Sequence, residues 1–166
     1  MLTSAGLSTT GGDGNGDPVD GHRLVLDRIA RMAGEWGFKS YLVGGPVRDC
    51  MLGTPTTDLD VAVVGDAVAV AQSLAAETDG RLTVHQRFGT ATVTTGSVTI
   101  DLVTARRETY PAPGALPDVK PGDISDDLAR RDFTINAMAM ALPTSAGELV
   151  DPYQGRADLE LSLIHI

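Results

Sequence analysis

The chain has 166 residues, 42% hydrophobic and only 4% aromatic, with 13 basic against 22 acidic side chains and a net charge of −9. Such a chain is long and apolar enough for one folded domain with a Val, Leu, Ile and Ala core, which excludes a wholly disordered polypeptide. The acidic balance argues against a domain that grips a nucleic-acid backbone unaided, but not against one that gathers carboxylates around metal ions.

Cys50 is the single cysteine. An intrachain disulfide and a cysteine-based zinc site are therefore excluded, and a reducing cytoplasm fits. No apolar run approaches the ~20 residues of a membrane span, and the N-terminus lacks the basic start and apolar stretch of a signal peptide.

Residues 1–17 are rich in Gly, Ser, Thr and Asp and are expected to form a disordered leader. Residues 18–160 are expected to form the domain itself. Leu26, Ile29, Ala33 and Trp36 recur at helical spacing, and Gly37 suits the helix end. Tyr41-Leu42-Val43 reads as a strand that ends in Gly44-Gly45, followed by a helical segment from Val47 to Leu52. Leu59 to Val64 reads as a second strand, and a helix from about Asp66 to Glu77 follows it. Three β-like segments come next, Arg81–Gln86, Thr90–Thr94 and Val98–Val103, with Gly89 and Gly96 at the breaks. Residues 109–123 hold four prolines and few apolar anchors, the pattern of a mobile loop. Helical character is expected from about Asp126 to Met140, then a short strand from Glu148 to Val150. Residues 161–166 continue no pattern and read as a non-native tail. The order predicts an α/β (α+β) domain, a mixed sheet with flanking helices.

Asp58 and Asp60 flank Leu59 at the start of an apolar strand. Residues two apart in a strand point to the same face, so the two carboxylates project side by side. Both stay ionised only if a cation sits between them, and oxygen donors suit Mg2+, with Mn2+ as the alternative. An isolated Asp-x-Asp is most often a solvated turn. Here a buried-type strand, Val61 to Val64, stands behind it. Asp101, between Ile100 and Leu102, is a third acid in an otherwise apolar strand, where a lone charge calls for a partner or a metal. The other explanation for Asp101 is an edge-strand charge facing water.

Leu42-Val43-Gly44-Gly45-Pro46-Val47-Arg48 is strand, double glycine, helix. Two glycines let the backbone turn sharply and bring N–H groups near an anion, and the helix start favours phosphate. Arg48 lies early in that helix and can reach the same phosphate. A tight structural turn is the simpler reading of the glycines taken alone.

Three stretches together resemble one family. "YLVGGPVRDCMLGTPTTDLDVAVVG" (41–65), "DDLARRDFTINAMAMAL" (126–142) and "ELVDPYQGRADLE" (148–160) are similar, in order and spacing, to the signatures of class II tRNA nucleotidyltransferases (CCA-adding enzymes) and bacterial poly(A) polymerases. The resemblance implies a nucleotidyltransferase head that moves AMP or CMP from ATP or CTP to an RNA 3′ end, with tRNA or another RNA held by further domains. It implies two divalent ions on Asp58 and Asp60 and triphosphate contacts from Gly44, Gly45 and Arg48. Arg131, Asp132 and Asn136 would contact the nucleotide or brace the site, and Arg130 would share that role. Glu108 matches an acidic position near the loop. By spacing alone, Asp132 and Asn136 would share one helical face. The alternatives are a poly(A) polymerase head, a non-catalytic nucleotide-binding regulatory module, and a small stand-alone nucleotidyltransferase acting on other substrates.

Overall fold

The computed structural model of the protein describes residues 18–165, so the predicted leader lies outside the described residues. Helix α1 (Pro18–Glu35) buries Val25, Leu26, Ile29, Met32 and Ala33 along one face. Trp36 falls just past its end and is half exposed, set edge-on to Phe38 rather than in the core. Gly37, at φ 73°, makes the turn into strand β1 (Lys39–Val43). The short helix α2 (Gly45–Leu52) leads to β2 (Asp58–Val64), and α3 (Ala67–Thr78) follows. Asp66 caps α3 by accepting from the Ala69 N–H at 3.0 Å, the ordinary way to satisfy one free donor of a first turn.

Strands β3 (Arg81–His85), β4 (Thr90–Thr95) and β5 (Val98–Thr104) come next. Two short strands, β8 (Ala139–Ala141) and β9 (Leu149–Val150), complete a seven-stranded sheet in the order β3-β4-β5-β2-β1-β8-β9. Every neighbouring pair is antiparallel except β2 and β5, which run parallel. A parallel pair needs a crossover, and the α3-β3-β4 segment supplies it.

The two faces of the sheet are covered unequally. Leu59, Val61 and Val63 of β2, with Ile100 and Leu102 of β5, pack under α1 and α3. The alternate residues face the other way, where Val43, Ala62 and Ala139 meet Ile124 and Leu128 of the short helix α4 (Ile124–Ala129). One helix of six residues covers only part of that face, and the start of β2 is left accessible.

Two sequence expectations change. Residues 109–123 are not loop throughout: β6 (Arg106–Thr109) pairs with β7 (Asp118–Pro121) as an antiparallel hairpin. The prolines did not forbid this, because an outlying strand can leave one side of its ladder unpaired. The predicted helix 126–140 is instead α4, a 3-10 turn over Thr134–Asn136, and strand β8. Ala137, Met138 and Ala139 are all buried, and three consecutive buried residues suit a strand entering a sheet better than an amphipathic helix. Helix α5 (Gly155–His165) carries the chain through 161–165.

Gly155 opens α5 where a Cβ would collide with the backbone carbonyl of Thr134. Replacement by alanine must therefore push α5 off the 3-10 turn. Gly155→Ala is expected to lower unfolding free energy by ~1–3 kcal/mol, the usual cost of overpacking, as measured from urea midpoints. Wild-type stability would show that the two elements separate freely.

Candidate active site

The site starts from strand register. Asp58 and Asp60 both lie in β2, with Leu59 between them buried on the opposite face. The two carboxylates thus share one face, as the spacing predicted. The parallel ladder sets Asp60 opposite Asp101 of β5. Asp101 is part-buried in an internal strand, not an edge charge in water, and its Oδ1 accepts from the Thr92 hydroxyl at 2.5 Å.

Asp60 has its pKa raised above the ordinary Asp value. Burial is the main cause, the charge of Asp101 adds to it, the nearby Arg131 cation opposes it, and Asp58 adds a smaller push. The three acids therefore form a region short of positive charge. Among the described residues, no three His, Cys, Asp or Glu side chains already converge as a ready cation cage. Asp58 and Asp60 offer a carboxylate pair on one face, with Asp101 held beside Asp60 by Thr92. Mg2+ commonly takes one or two carboxylates and completes its shell with water and substrate phosphates, so this pair fits it.

Beside the acids lies the glycine turn. Gly44 is buried, sits at φ 72° before α2, and donates its N–H to the Met138 carbonyl at 3.1 Å. A Cβ here would stand 3.0 Å from Arg131 Nη1. Both the positive φ and this close approach call for glycine. At Gly45 the Cβ position is 3.6 Å from Arg48 Nη2, so the Arg48 guanidinium lies over the turn. Arg48 donates from Nη1 to Asn136 Oδ1 at 2.8 Å and from Nε to Asp49 Oδ1 at 2.9 Å. Asn136 thus orients Arg48 rather than lying beside Asp132 on one helical face. Asp132 is exposed, with no hydrogen bond or ion pair among the described residues.

Between these elements is a residue that sequence reasoning missed. Asp127, on α4, is fully buried and receives four N–H groups. Arg130 gives Nε and Nη2 to Oδ1 at 3.1 and 2.8 Å. Arg131 gives Nε and Nη2 to Oδ2 at 3.1 and 2.9 Å. The two arginines then part. Arg130 Nη1 lies 3.9 Å from Glu108, which also pairs with Arg106 at 3.1 Å and accepts from the Tyr110 hydroxyl at 3.0 Å. Arg131 turns toward Gly44 and Asp60. The signal for Asp127 was its spacing, three and four residues before Arg130 and Arg131. Asp126 stands beside it with the same side chain. That neighbour instead closes a capping box with Asp123 and pairs with Arg107, which holds its carboxyl below the ordinary range.

The 3-10 turn is pinned from outside by Thr134, whose hydroxyl meets Asp158 of α5 at 2.5 Å. Phe133, caught between this anchor and Arg131, adopts φ 62° with its ring exposed. A non-glycine residue at positive φ stores strain that persists only when its neighbours over-determine it.

A mixed sheet with an Asp-x-Asp strand, a third acid in register and a double-glycine turn before a helix defines a nucleotidyltransferase-type domain. Comparison with known proteins makes the class specific. The chain belongs to the Poly A polymerase head domain family, which it matches over residues 40–165. It is 47% identical over 147 residues to the A-adding tRNA nucleotidyltransferase of Halalkalibacterium halodurans, covering 87% of this chain and 34% of that protein. With the CC-adding tRNA nucleotidyltransferase of Deinococcus radiodurans it shares 42% identity over 140 residues, 83% of this chain and 37% of the relative. Among solved structures, a CCA-adding enzyme in an apo form superposes with a TM-score of 0.78 at 36% identity, covering 85% of this chain and 34% of that one. A tRNA nucleotidyltransferase complexed with a primer tRNA and an incoming ATP analog gives 0.69 at 38% identity, covering 80% and 36%. The chain therefore spans about a third of the length of these relatives. No described helix is long and apolar enough to cross a membrane.

An acid whose pKa rises on folding favours the folded state when protonated. That contribution is complete below the ordinary Asp range and is lost as pH rises through the raised value. At neutral pH, Asp60 therefore opposes folding. Asp60→Asn is expected to melt at a higher temperature than wild type at pH 7 without divalent ions, and the gap should close in acid. A lower melting temperature for the variant would show that Asp60 is not held against its own charge.

Proposed function

We propose that this chain is the catalytic head of an RNA 3′-end nucleotidyltransferase that transfers AMP or CMP from ATP or CTP to the end of a tRNA. The observation that carries this is the set of Asp58, Asp60 and the in-register Asp101 beside a glycine turn faced by Arg131. The relatives support tRNA as the RNA, since those compared above are A-adding and CC-adding tRNA nucleotidyltransferases.

In this reading Asp58 and Asp60 hold two divalent cations, Mg2+ with Mn2+ as the alternative. Those ions would supply acidification of the attacking hydroxyl and neutralisation of the departing phosphates. Asp101 keeps its place through Thr92 and adds negative charge beside Asp60 from the next strand, which bound cations would offset. The start of α2 at Gly45 receives the triphosphate, the Gly44 N–H being given to the Met138 carbonyl while Gly44 keeps the turn open, with Arg48 and Arg131 neutralising its charge. Asn136 sets the plane of Arg48, and the exposed Asp132 carboxylate is available to the nucleotide sugar. The 3′ hydroxyl of the RNA gives up its proton to solvent, its oxygen bonds to the α-phosphorus, the α–β phosphoanhydride bond breaks, and pyrophosphate leaves with the electron pair. No covalent enzyme intermediate is needed, so the residues act by position and charge.

The test is incorporation of labelled AMP and CMP into tRNA lacking its 3′ terminus, by the protein that carries this head. Asp60→Ala is expected to cut the rate by at least about 100-fold with the circular dichroism spectrum unchanged, because transition-state charge loses a preorganised partner. Turnover near the wild-type rate would refute the role. A second expectation concerns the head by itself. Its assigned groups address phosphate, sugar and metal, which all nucleotides share, whereas strong base choice needs donors and acceptors aimed at a base edge. Calorimetric titration in Mg2+ is expected to give equal, weak affinities for ATP, CTP, GTP and UTP. A clear preference for ATP and CTP would place base-reading groups within residues 18–165.

A further inference from the structure

Asp127 is the buried charge for which the reaction chemistry has no use. A carboxylate taken wholly out of water is costly unless it is paired and fully hydrogen-bonded, and this one receives two N–H groups on each oxygen. Stability alone is a weak explanation for such a cluster, because apolar side chains of similar volume often fill a buried site as well or better. The geometry points to another use.

Arg131 spends Nε and Nη2 on Asp127 Oδ2. Those two bonds fix the plane of its guanidinium and leave Nη1 as the projecting group. Nη1 makes no hydrogen bond among the described residues, and it stands 3.0 Å from the Cβ position of Gly44. Arg130 is held by the other oxygen and directed toward Glu108. One buried carboxylate therefore sorts two adjacent arginines, one toward the β6–β7 hairpin and the other toward the glycine turn.

We propose that Asp127 is a positioning residue for nucleotide binding, which locks Arg131 so that its free Nη1 faces a phosphate oxygen at the Gly44–Gly45 turn. The proposal rests on the nucleotide-binding reading given above. Two features follow from it. A lysine at 131 would keep the charge but lose the two-point hold, so it could not replace the arginine. Asp127 and Arg131 would also act as one unit, so removing both would do no more than removing the arginine's hold alone.

Binding of Mg–ATP is measured by calorimetry on wild type, Asp127→Asn, Arg131→Lys and the double variant, with melting curves for each. Each single variant is expected to weaken binding about tenfold or more, the scale of a lost charge-assisted contact. The double variant should be no weaker than Arg131→Lys. In the transfer assay the loss should fall on KM for ATP more than on kcat, a split that a merely structural defect does not produce. Arg131→Lys keeps Asp127 neutralised by Arg130, so the proposal stays refutable even if Asp127→Asn fails to fold. Wild-type affinity in Arg131→Lys, or losses that add in the double variant, would overturn this proposal while leaving the function standing. Failure of the wild type to bind Mg–ATP at all would overturn both.

Discussion

The parallel pairing of β2 with β5 is the constraint on which the rest of the site depends. It places Asp60 beside Asp101 and, through the period of two, sends Leu59, Val61 and Val63 into the core beneath α1 and α3. A slip of one residue would bury the carboxylates and expose the apolar set, so core burial itself enforces the register that aligns the acids. The same apolar effect that holds the sheet together thus concentrates negative charge at one strand entrance. Asp60 bears the cost in its raised pKa. Functional sites commonly hold such unfavourable charge because the surrounding fold over-determines it.

Charge balance around that entrance comes from a segment distant in sequence. Helix α4 packs Ile124 and Leu128 on the face that carries the acids, and its C-terminal end delivers Arg130 and Arg131. Without Asp127 these arginines would be long side chains with many rotamers. With it, Arg131 is held in one orientation over the glycine turn, and its side-chain entropy is lost on folding. The 3-10 turn adds Asn136 against Arg48, and Thr134 ties the turn to α5. Segments at residues 44–48, 58–60, 101 and 127–136 therefore meet in one place although the chain visits them in separate passes. The −9 net charge is compatible with this arrangement, because two arginines, Arg48 and Arg131, stand at the glycine turn while others are spent on surface pairs such as Arg31–Glu77 and Arg107–Asp126.

Much of this was legible from residues alone, and the reason is local. The Asp58-Leu59-Asp60 alternation before Val61 to Val64, the double glycine before a helix, and an acid inside the apolar run Val98 to Val103 depend only on backbone period and on the conformational freedom of glycine. Where the reading went astray, the deciding forces were not local. From Ala137 to Met140 the chain has helix-forming residues, yet β1 offers an unpaired edge and Ala139 to Ala141 take it. The prolines near residues 111–121 suggested loop, yet the strand pairing of Arg106–Thr109 with Asp118–Pro121 closes a hairpin.

By itself the sequence determined the strands and helices that carry the acids, the need for glycine at the turn before α2, and the face on which Asp58 and Asp60 stand. Those follow from the geometry of single elements and from which side chains water rejects. Only the tertiary structure decided that Asp101 lies beside Asp60, that Asn136 holds Arg48, and that Asp127 rather than Asp126 joins the arginines to the site. Two adjacent acids on a short helix have the same intrinsic chemistry. Which of them is buried against the sheet, and which stays at the surface to cap the helix and meet Arg107, depends on how the helix is rotated over its neighbours, and that rotation is set by the packing of Ile124 and Leu128.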